Sequence, residues 1–249
     1  MKTWTLDPAY ADTPAGAAFN QLEAVFALTG EPITSAPLSH VIRVEIDGTR
    51  YYVKRYTGAG KNPLRRWFTR PRIQGEWENL QRFARWGLPT AKIVAYGWER
   101  RAGAFVRGAM ITEEVPNTHD LATLAQNGAP CLSDAAWVDT VSRQIAHIAR
   151  TLHDHRFAHN DLKWRNILVQ EGEAAKVFLI DCPAGRFWVE PFLSYRIVKD
   201  LASLDSIAKY QLTRTQRMRF YHYYSGRSRL NSTDRKRIRQ VVRYREGSE

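Results

Sequence analysis

The chain has little cysteine, no long apolar run and few acidic residues for its basic content. Its 249 residues include two cysteines, Cys131 and Cys182, too few for a disulfide framework or a cysteine-rich metal site. No run of about 18 apolar residues occurs, which argues against a bilayer-spanning helix. The N-terminal stretch also lacks the apolar block of a signal peptide. We therefore expect a protein that is made and kept in the cytoplasm.

The shortage of acids leaves a strong positive charge. Against 37 Lys and Arg there are 25 Asp and Glu, a net charge of +12. Two blocks hold much of the excess: 54–72 contains no acid, and 214–245 holds ten arginines and one lysine against Asp234 alone. Such blocks attract polyanions, whether nucleic acid, an anionic lipid surface or a phosphorylated substrate. A solvated basic face without a partner is the alternative interpretation.

Before about residue 117 the pattern is rich in strands. Apolar residues alternate on both sides of Asp47-Gly48, a dipeptide typical of a hairpin turn, which predicts two paired strands. Apolar side chains then recur at helical spacing until Gly87 and Pro89. The order strand, strand, helix, strand, strand is predicted from the paired strands (41–56), the helix (73–86) and two further strands (92–99 and 105–115). We also expect a short helix at about 17–30 ending at Gly30, and a loop at 57–72.

After residue 117 helical patterns dominate. A long helix is expected over 134–153, with Ser133 as its cap. The stretches "NILVQ" and "KVFLID" predict two short strands, and the chain from about 194 onward is helical, basic and aromatic. We therefore predict an α+β fold with an antiparallel-sheet N-lobe at 1–115 and a mainly helical C-lobe at 116–249.

The stretch "HNDLKWRN" holds an acid and an amide five positions apart, between a helix pattern and a strand pattern. Phosphoryl transfer needs an acceptor for the hydroxyl proton and oxygen ligands for Mg²⁺. We assign Asp161 as the base and Asn166 as a metal ligand. Asp181, at the end of the apolar strand "VFLI", is the expected principal metal ligand. Lys163 is predicted to neutralise charge at the transferring phosphate, and His159 to be structural.

A second group of candidates lies upstream, where the nucleotide phosphates need a cation. Lys54 ends a strand, and an acid is needed to position it over the phosphates. Glu76 on the following helix is the preferred partner, and Glu78 is the near alternative. Tyr52 lies two residues before Lys54 and shares its strand face, so we expect it to stack on adenine.

With these residues in hand, the chain resembles the protein-kinase-like superfamily, and more closely the bacterial lipopolysaccharide core kinases that act on heptose or Kdo. The resemblance covers roughly residues 38 to 225. It is carried by "RYYVKRY" (50–56), "GEWENLQRFARWGLPTAKIVAYG" (75–97), "MITEEVPNTHDL" (110–121) and "LHDHRFAHNDLKWRNILV" (152–169), and is continued by "VFLIDCPAGRF" and "RIVKDLASL".

The resemblance implies a bilobal protein-kinase-like fold and an enzyme that uses ATP and Mg²⁺ to phosphorylate an alcohol group. Backbone groups from Glu113 to Val115 would contact adenine, and Asp200 would support the catalytic loop. The acceptor would be a lipid-anchored, anionic lipopolysaccharide core sugar. The basic blocks would then bind that acceptor or the inner face of the cytoplasmic membrane, which makes a peripheral membrane location the expectation and nucleic acid a less favoured partner.

Two departures from the family pattern stand out. Cys182-Pro183, in place of Phe-Gly, follows the predicted metal aspartate, and the expected nucleotide-covering stretch "PLSHVIRVEI" contains no glycine. The alternatives are a small-molecule kinase, an atypical protein kinase, or a catalytically degenerate kinase-like basic module that binds membrane or nucleic acid. The last interpretation rests on the tail "RTQRMRFYHYYSGRSRL", whose Arg and aromatic residues could stack bases. Packing of those aromatics in the core is the competing prediction.

Overall fold

The computed structural model describes residues 1–58, 67, 70–172 and 174–244. The chain divides into two compact units, one formed by Met1–Arg82 with Ala91–Val115 and the other by Phe83–Thr90 with Pro116–Glu249. Most of the predicted loop at 57–72, and with it part of the first basic block, lies outside the described residues. Within the described ranges, no helix is both long enough and apolar enough to cross a membrane.

The first unit is built on one antiparallel sheet of six strands in the order β1-β5-β6-β4-β3-β2. The strands are β1 (Lys2–Leu6), β2 (Glu31–Ala36), β3 (Ser39–Ile46), β4 (Thr49–Thr57), β5 (Ile93–Arg101) and β6 (Ala104–Glu113). The predicted order of strand, strand, helix, strand, strand was therefore two strands short. It missed β1 and β2, and β2 carries no apolar alternation because all six of its residues are exposed.

The β3–β4 hairpin forms as the sequence predicts. Asp47 and Gly48 both have positive φ, 51° and 71°, the backbone that a tight hairpin turn needs and that Gly adopts without a steric penalty. Because side chains alternate along β4, Tyr51 and Val53 enter the hydrophobic core while Lys54 lies on the opposite face. The hairpin thereby fixes which way the candidate lysine points.

Two short helices cover the core face of the sheet. They are α1 (Pro14–Ala18) and α2 (Leu22–Ala27), so the prediction of one helix at 17–30 was wrong. Thr13 caps α1 with its side chain and Pro14 opens it, while the chain leaves helical geometry at Phe19 and packs that ring 5.2 Å from Tyr51, edge to face.

Helix α3 (Arg72–Arg85) follows the predicted range and contacts the Lys54 face of the sheet. Trp77 stacks on Tyr96 of β5 with ring centroids 4.3 Å apart. Ile73 and Leu80, two helical turns apart on the same face of the helix, are both buried. Packing of this face holds the α3 side chains in register with β4.

The second unit is mainly helical. Its helices are α4 (Leu121–Gln126), α5 (Ala135–Asp154), α6 (Phe192–Gln211), α7 (Arg214–Ser225) and α8 (Ser232–Arg243). Strands β7 (Thr118–Asp120), β9 (Ile167–Gln170) and β10 (Lys176–Leu179) form a sheet in the order β10-β9-β7, and β8 (Phe157–Ala158) pairs with β11 (Arg186–Phe187). The predicted α+β class is confirmed.

Two local predictions in this unit need correction. The cap of α5 is Asp134, whose Oδ1 accepts the backbone N–H of Ala136 at 2.8 Å, whereas Ser133 closes a preceding 3₁₀ turn. Asp134 is favoured over Ser133 at the cap position because its carboxylate also complements the positive end of the helix dipole. Strand β10 stops at Leu179, so Asp181 lies two residues beyond the strand and not at its last position.

The aromatic residues of the basic tail pack into the second unit. Tyr221 and Tyr224 of α7 are buried, the Tyr224 hydroxyl lies 2.9 Å from His153 Nδ1, and the Tyr223 hydroxyl donates to Asp139 at 2.6 Å. Burial leaves Tyr221 and Tyr224 unable to stack on bases, which favours the core-packing interpretation of the tail.

Candidate functional site

A buried ion pair in the first unit holds the predicted phosphate-binding lysine. Lys54 Nζ donates to Glu76 Oε1 at 2.8 Å, and Glu76 is 2% exposed. The other carboxylate oxygen of Glu76 accepts the hydroxyl of Tyr56. Because β4 and α3 are each fixed by core packing, the ammonium group is held at a defined position on the sheet.

The acid that contacts Lys54 is therefore Glu76 and not the alternative, Glu78. Glu78 instead accepts hydrogen bonds from Arg70 at 2.5 Å, Gln74 at 2.8 Å and Arg82 at 3.0 Å. The difference follows from helical geometry, because residues two apart on a helix face in different directions.

The other predicted nucleotide contacts lie on the same unit. Tyr52 is half-buried on the Lys54 face of β4, where burial raises the pKa of its phenol. Glu113 ends β6, donates its backbone N–H to the Lys92 carbonyl at 2.9 Å and accepts the Tyr10 hydroxyl with its carboxylate. Val115 closes the unit two residues later. Contacts of these residues with adenine stay predictions.

In the second unit, the catalytic-loop candidate is fastened to helix α6 at two points. The His159 backbone N–H donates to Asp200 Oδ2 at 2.7 Å, and Trp164 Nε1 donates to the Leu204 carbonyl at 2.9 Å. Asp200 is fully buried, so its Oδ2 accepts from the loop backbone where water does not compete. These contacts give Asp200 the supporting position that the family resemblance implies.

His159 occupies the base of this loop as a neutral ring. Its side chain is fully buried and lies parallel to Phe83, with centroids 6.2 Å apart. Burial lowers the pKa of the imidazole by more than the nearby carboxylates of Asp200, Asp181 and Asp161 raise it. A neutral, packed imidazole agrees with a structural role.

Asp161 is poised as a charged carboxylate. Burial alone would raise its pKa, but Lys163 Nζ at 2.5 Å from Oδ1 and Arg165 at 3.4 Å from Oδ2 outweigh burial, and the net pKa is below the usual Asp value. Asp161 therefore remains able to accept a proton throughout the neutral range. Lys163 contacts this carboxylate directly, and its predicted contact with a phosphate stays a prediction.

A backbone hydrogen bond joins Asn166 to the segment that carries Asp181. Asn166 Nδ2 donates to the Asp161 carbonyl at 2.8 Å, which directs the amide oxygen away from Asp161. The backbone carbonyl of Asn166 accepts the N–H of Ile180 at 3.0 Å. Asp181 follows directly, in left-handed backbone with φ 57°, a conformation that costs a non-Gly residue roughly 1 kcal/mol or more and is frequent at functional sites.

The donor set fits magnesium. Asn166 and Asp181 offer one amide oxygen and one carboxylate, and Mg²⁺ is usually held by one or two carboxylates together with phosphate and water. Over the described ranges, no group of three or more His, Cys, Asp or Glu side chains could hold a metal by itself. Water or phosphate oxygens would complete the coordination of a magnesium ion held by these two side chains.

Sequence reasoning missed three residues that organise these clusters. Tyr56 bonds Glu76, Arg165 reaches Asp161, and Asn160 donates from Nδ2 to the Ala184 carbonyl at 2.9 Å. Tyr56 had a signal, since it lies two residues after Lys54 and shares its strand face. The Asn160 contact joins residues 24 apart in sequence and left no local pattern.

Comparison with known proteins gives a family and a fold. A sequence model described as "Lipopolysaccharide kinase (Kdo/WaaP) family" matches residues 24–224. A 3-deoxy-D-manno-octulosonic acid kinase of Actinobacillus succinogenes is 37% identical over 119 residues, 45% of this chain and 47% of the relative. The lipopolysaccharide core heptose(I) kinase WaaP of Pseudomonas aeruginosa is 30% identical over 143 residues, 54% of this chain and 53% of the relative.

Each of these matches spans about half the length of the curated relative. A solved structure, "WaaP in complex with acyl carrier protein", superposes with a TM-score of 0.71 at 24% identity and covers 99% of this chain and 97% of that chain. That likeness supports the kinase-like fold predicted from the motifs. Because the family model covers most of the chain, including both clusters, the chain belongs to the lipopolysaccharide kinase (Kdo/WaaP) family.

Proposed function

We propose that this chain transfers the γ-phosphoryl group of ATP to a sugar hydroxyl, of heptose or Kdo, in the lipopolysaccharide inner core. One observation carries the proposal. Asp161 has a carboxylate with a lowered pKa, and its backbone carbonyl accepts the side-chain N–H of Asn166. The backbone carbonyl of Asn166 in turn accepts the N–H of Ile180, the residue before Asp181. These contacts support a site in which a proton acceptor lies beside two hard oxygen ligands, the arrangement that phosphoryl transfer requires.

Asp161 has the task of orienting the acceptor and taking its proton. A hydroxyl hydrogen-bonded to Asp161 gains nucleophilic character as it attacks phosphorus, and its proton passes to the carboxylate as the new phosphate ester bond forms. The bond between the γ-phosphorus and the bridging oxygen of ADP breaks in the same step. Lys163, which lies against Asp161, supplies positive charge beside this reaction centre.

ATP and Mg²⁺ are the cofactors that the donor groups fit. Asp181 and the amide oxygen of Asn166 would hold the metal, which when bound neutralises charge on the phosphate oxygens. Lys54, positioned by Glu76, supplies a fixed cation for the phosphates. Tyr52 and the backbone from Glu113 to Val115 are proposed to face the adenine ring.

The proposed acceptor is anionic and lipid-anchored, which agrees with the charge of the second unit. On α8 and the loop between α7 and α8, several basic side chains are exposed: Arg227, Arg229, Arg235, Lys236, Arg239 and Arg243. Arg227 pairs with Asp234, and the α7 residue Arg217 is held by Asp205. A basic surface of this kind attracts core phosphates and anionic lipids, whereas kinases for cationic small molecules would need an acidic acceptor site.

The function is tested with defined acceptors. The protein is incubated with Mg-ATP and inner-core oligosaccharides that end in Kdo or in heptose, and the products are examined by mass spectrometry. We expect a mass increase of one phosphate on one of the two acceptors and none without Mg²⁺. If neither acceptor is phosphorylated while a simple alcohol or amino sugar is, the small-molecule alternative replaces this proposal.

Because Lys54 contacts Glu76 and not Glu78, substitution of these two acids should affect ATP affinity differently. Glu76→Gln removes the charge that Lys54 contacts but keeps the size of the side chain. We expect ATP affinity to fall on the order of tenfold, because the partly buried ammonium loses its contact with a carboxylate. Glu78→Gln is the matched control on the same helix, with an expected change below about twofold. Calorimetric titration with Mg-ATP measures both, and equal affinities for the two variants would contradict the role of Glu76.

A further inference from the structure

Four large apolar side chains are exposed within nine residues of the second unit. Phe187 is 53% exposed, Val189 65%, Phe192 60% and Tyr195 55%. Single exposed apolar residues are ordinary, but a contiguous group of them marks a surface that another molecule covers. In the part of the chain that the structure describes, six other large hydrophobic residues are exposed to a comparable degree, and they are scattered from Met1 to Val242.

The four residues lie along the short stretch that runs from β11 into α6. Phe192 and Tyr195 are three residues apart on α6 and therefore neighbours on that helix. The Leu193 N–H donates to the Val189 carbonyl at 2.9 Å, which extends the helical turn back to Val189. Phe187 is fixed two residues earlier by its pairing with Phe157 in the β8–β11 ladder.

Cations and an amphipathic aromatic ring accompany this surface. The Arg196 guanidinium lies 4.3 Å from the ring centroid of Trp188, and that of Arg186 lies 4.9 Å from it. The single acid, Glu190, accepts the N–H and hydroxyl of Ser194 in the first turn of α6, where a negative charge is favoured. Exposed apolar side chains with Trp, Tyr and Arg are the composition typical of a membrane–water interface.

Two hydrogen bonds connect this surface with the catalytic loop. Asn160 donates from Nδ2 to the Ala184 carbonyl at 2.9 Å, and its Oδ1 accepts from Arg196 at 3.4 Å. Asn160 directly precedes Asp161 and has left-handed backbone, with φ 64°. The segment that carries the exposed side chains is thus tied to the residue before the proposed base.

We propose that residues 186–196, here called the docking segment, insert into the headgroup region of an anionic bilayer. The inference rests on the proposed function in one respect, since the acceptor is taken to be lipid-anchored. The apolar side chains enter the boundary between headgroups and acyl chains, and Arg186 and Arg196 contact lipid phosphates. Asp161 is then presented close to the membrane surface, where the inner-core sugars of a lipid-anchored acceptor lie.

Charge complementarity selects an anionic bilayer as the occupant. The chain carries a net charge of +12, and the docking segment itself has two arginines against one acid that is already engaged by Ser194. Binding should combine an electrostatic part, which salt screens, with an apolar part, which salt does not screen. The two parts separate docking by insertion from simple attraction of the basic helices to lipid.

The test uses the full chain and vesicles of phosphatidylcholine with or without phosphatidylglycerol. We expect the wild type to sediment with the anionic vesicles and to retain part of this binding in about 1 M salt, where the Debye length is only about 3 Å. The double variant Val189→Ser, Phe192→Ser should bind about tenfold more weakly, because two inserted side chains are lost. Both positions are more than half exposed, so thermal unfolding should remain close to that of the wild type.

A matched control removes two exposed apolar side chains elsewhere. Ile33→Ser with Tyr210→Ser, at 40% and 74% exposure, should bind vesicles as the wild type does. Equal binding of the Val189→Ser, Phe192→Ser variant and the wild type would overturn the proposal. Absence of wild-type binding to anionic vesicles would overturn it as well.

Failure of docking and failure of the proposed function are separate results. Vesicle binding needs neither ATP nor acceptor, so Asp161→Asn should bind vesicles as the wild type does. If vesicle binding depends on the docking segment but the chain phosphorylates no core sugar, the proposed function alone is overturned. If the chain phosphorylates core sugars but the Val189→Ser, Phe192→Ser variant binds vesicles as the wild type does, the docking proposal alone is overturned.

Discussion

Replacing Asp161 by asparagine is expected to lower kcat by about 10²- to 10⁴-fold, the usual contribution of a positioned general base. Asparagine keeps the size of the side chain but cannot accept the acceptor proton. The fold should persist, because the loop is held by Asp200 and Trp164 and not by the Asp161 carboxylate. Steady-state transfer of phosphate to the core acceptor, with thermal unfolding as the companion measurement, separates loss of chemistry from loss of structure.

The pH dependence of the wild type provides an independent check on this base. The pKa of Asp161 is lowered from its usual 3.8 because Lys163 and Arg165 together outweigh the effect of burial. The carboxylate is therefore charged above that pKa, and activity attributable to it should be lost only as the pH falls below about 4. An acid limb near neutrality would point to a different base.

The control for Asp161→Asn is Asp154→Asn. Asp154 ends α5, and its carboxylate is 69% exposed and pairs with Arg150 one helical turn away, a contact worth about 0.3–0.5 kcal/mol. Its removal should leave kcat within about twofold of the wild type. A kcat for Asp161→Asn equal to that of this control would remove Asp161 from the mechanism.

Replacing Asp181 by asparagine should abolish the benefit of magnesium. We expect turnover to fall by more than about a hundredfold, because the one carboxylate of the proposed metal pair is lost and a neutral amide oxygen attracts Mg²⁺ less strongly than a carboxylate does. ATP titrations with and without Mg²⁺ carry an internal control. In the wild type Mg²⁺ should tighten nucleotide binding, and in the variant affinity should be close to the metal-free value.

Retention of a full magnesium effect by Asp181→Asn would show that the metal is held elsewhere. An effect on metal-free ATP binding as large as that on Mg-ATP binding would indicate a distorted loop. We do not expect such distortion. Asp181 has left-handed backbone, with φ 57°, and Asn adopts this conformation about as readily as Asp. The Asn variant is for this reason a cleaner test than alanine.

The sequence predicted the elements that have a strong internal period. The β3–β4 hairpin and helix α3 were found because an Asp-Gly turn and a 3.6-residue repeat are local signals. Strands β1 and β2 were missed because they form the two edges of the sheet, where one side of a strand has no partner and apolar alternation is weak. The prediction of one helix at 17–30 failed for another reason. Helical geometry is interrupted at Phe19, whose ring is buried in the core.

Candidate site residues could be proposed from the sequence where spacing carries chemistry. An acid and an amide five residues apart in "HNDLKWRN" led to the prediction of Asp161 and Asn166, whose roles stay predictions. A strand-borne lysine and a helical acid led to Lys54 and Glu76, which the structure shows in contact. The supporting contacts were not predictable, because they join distant segments. The clearest case is the chain of contacts from Tyr224 through His153 to Asp200, with distances of 2.9 and 3.6 Å, which brings α7, α5 and α6 together beneath the loop.

The most direct test of the account is mass spectrometry of the core oligosaccharide from a strain that lacks this chain. We predict that one inner-core phosphate disappears in the deletion strain, returns with the wild-type chain and does not return with Asp161→Asn. An unchanged phosphate content in the deletion strain, or full restoration by Asp161→Asn, would contradict the assignment of this chain as a core sugar kinase with Asp161 as its base.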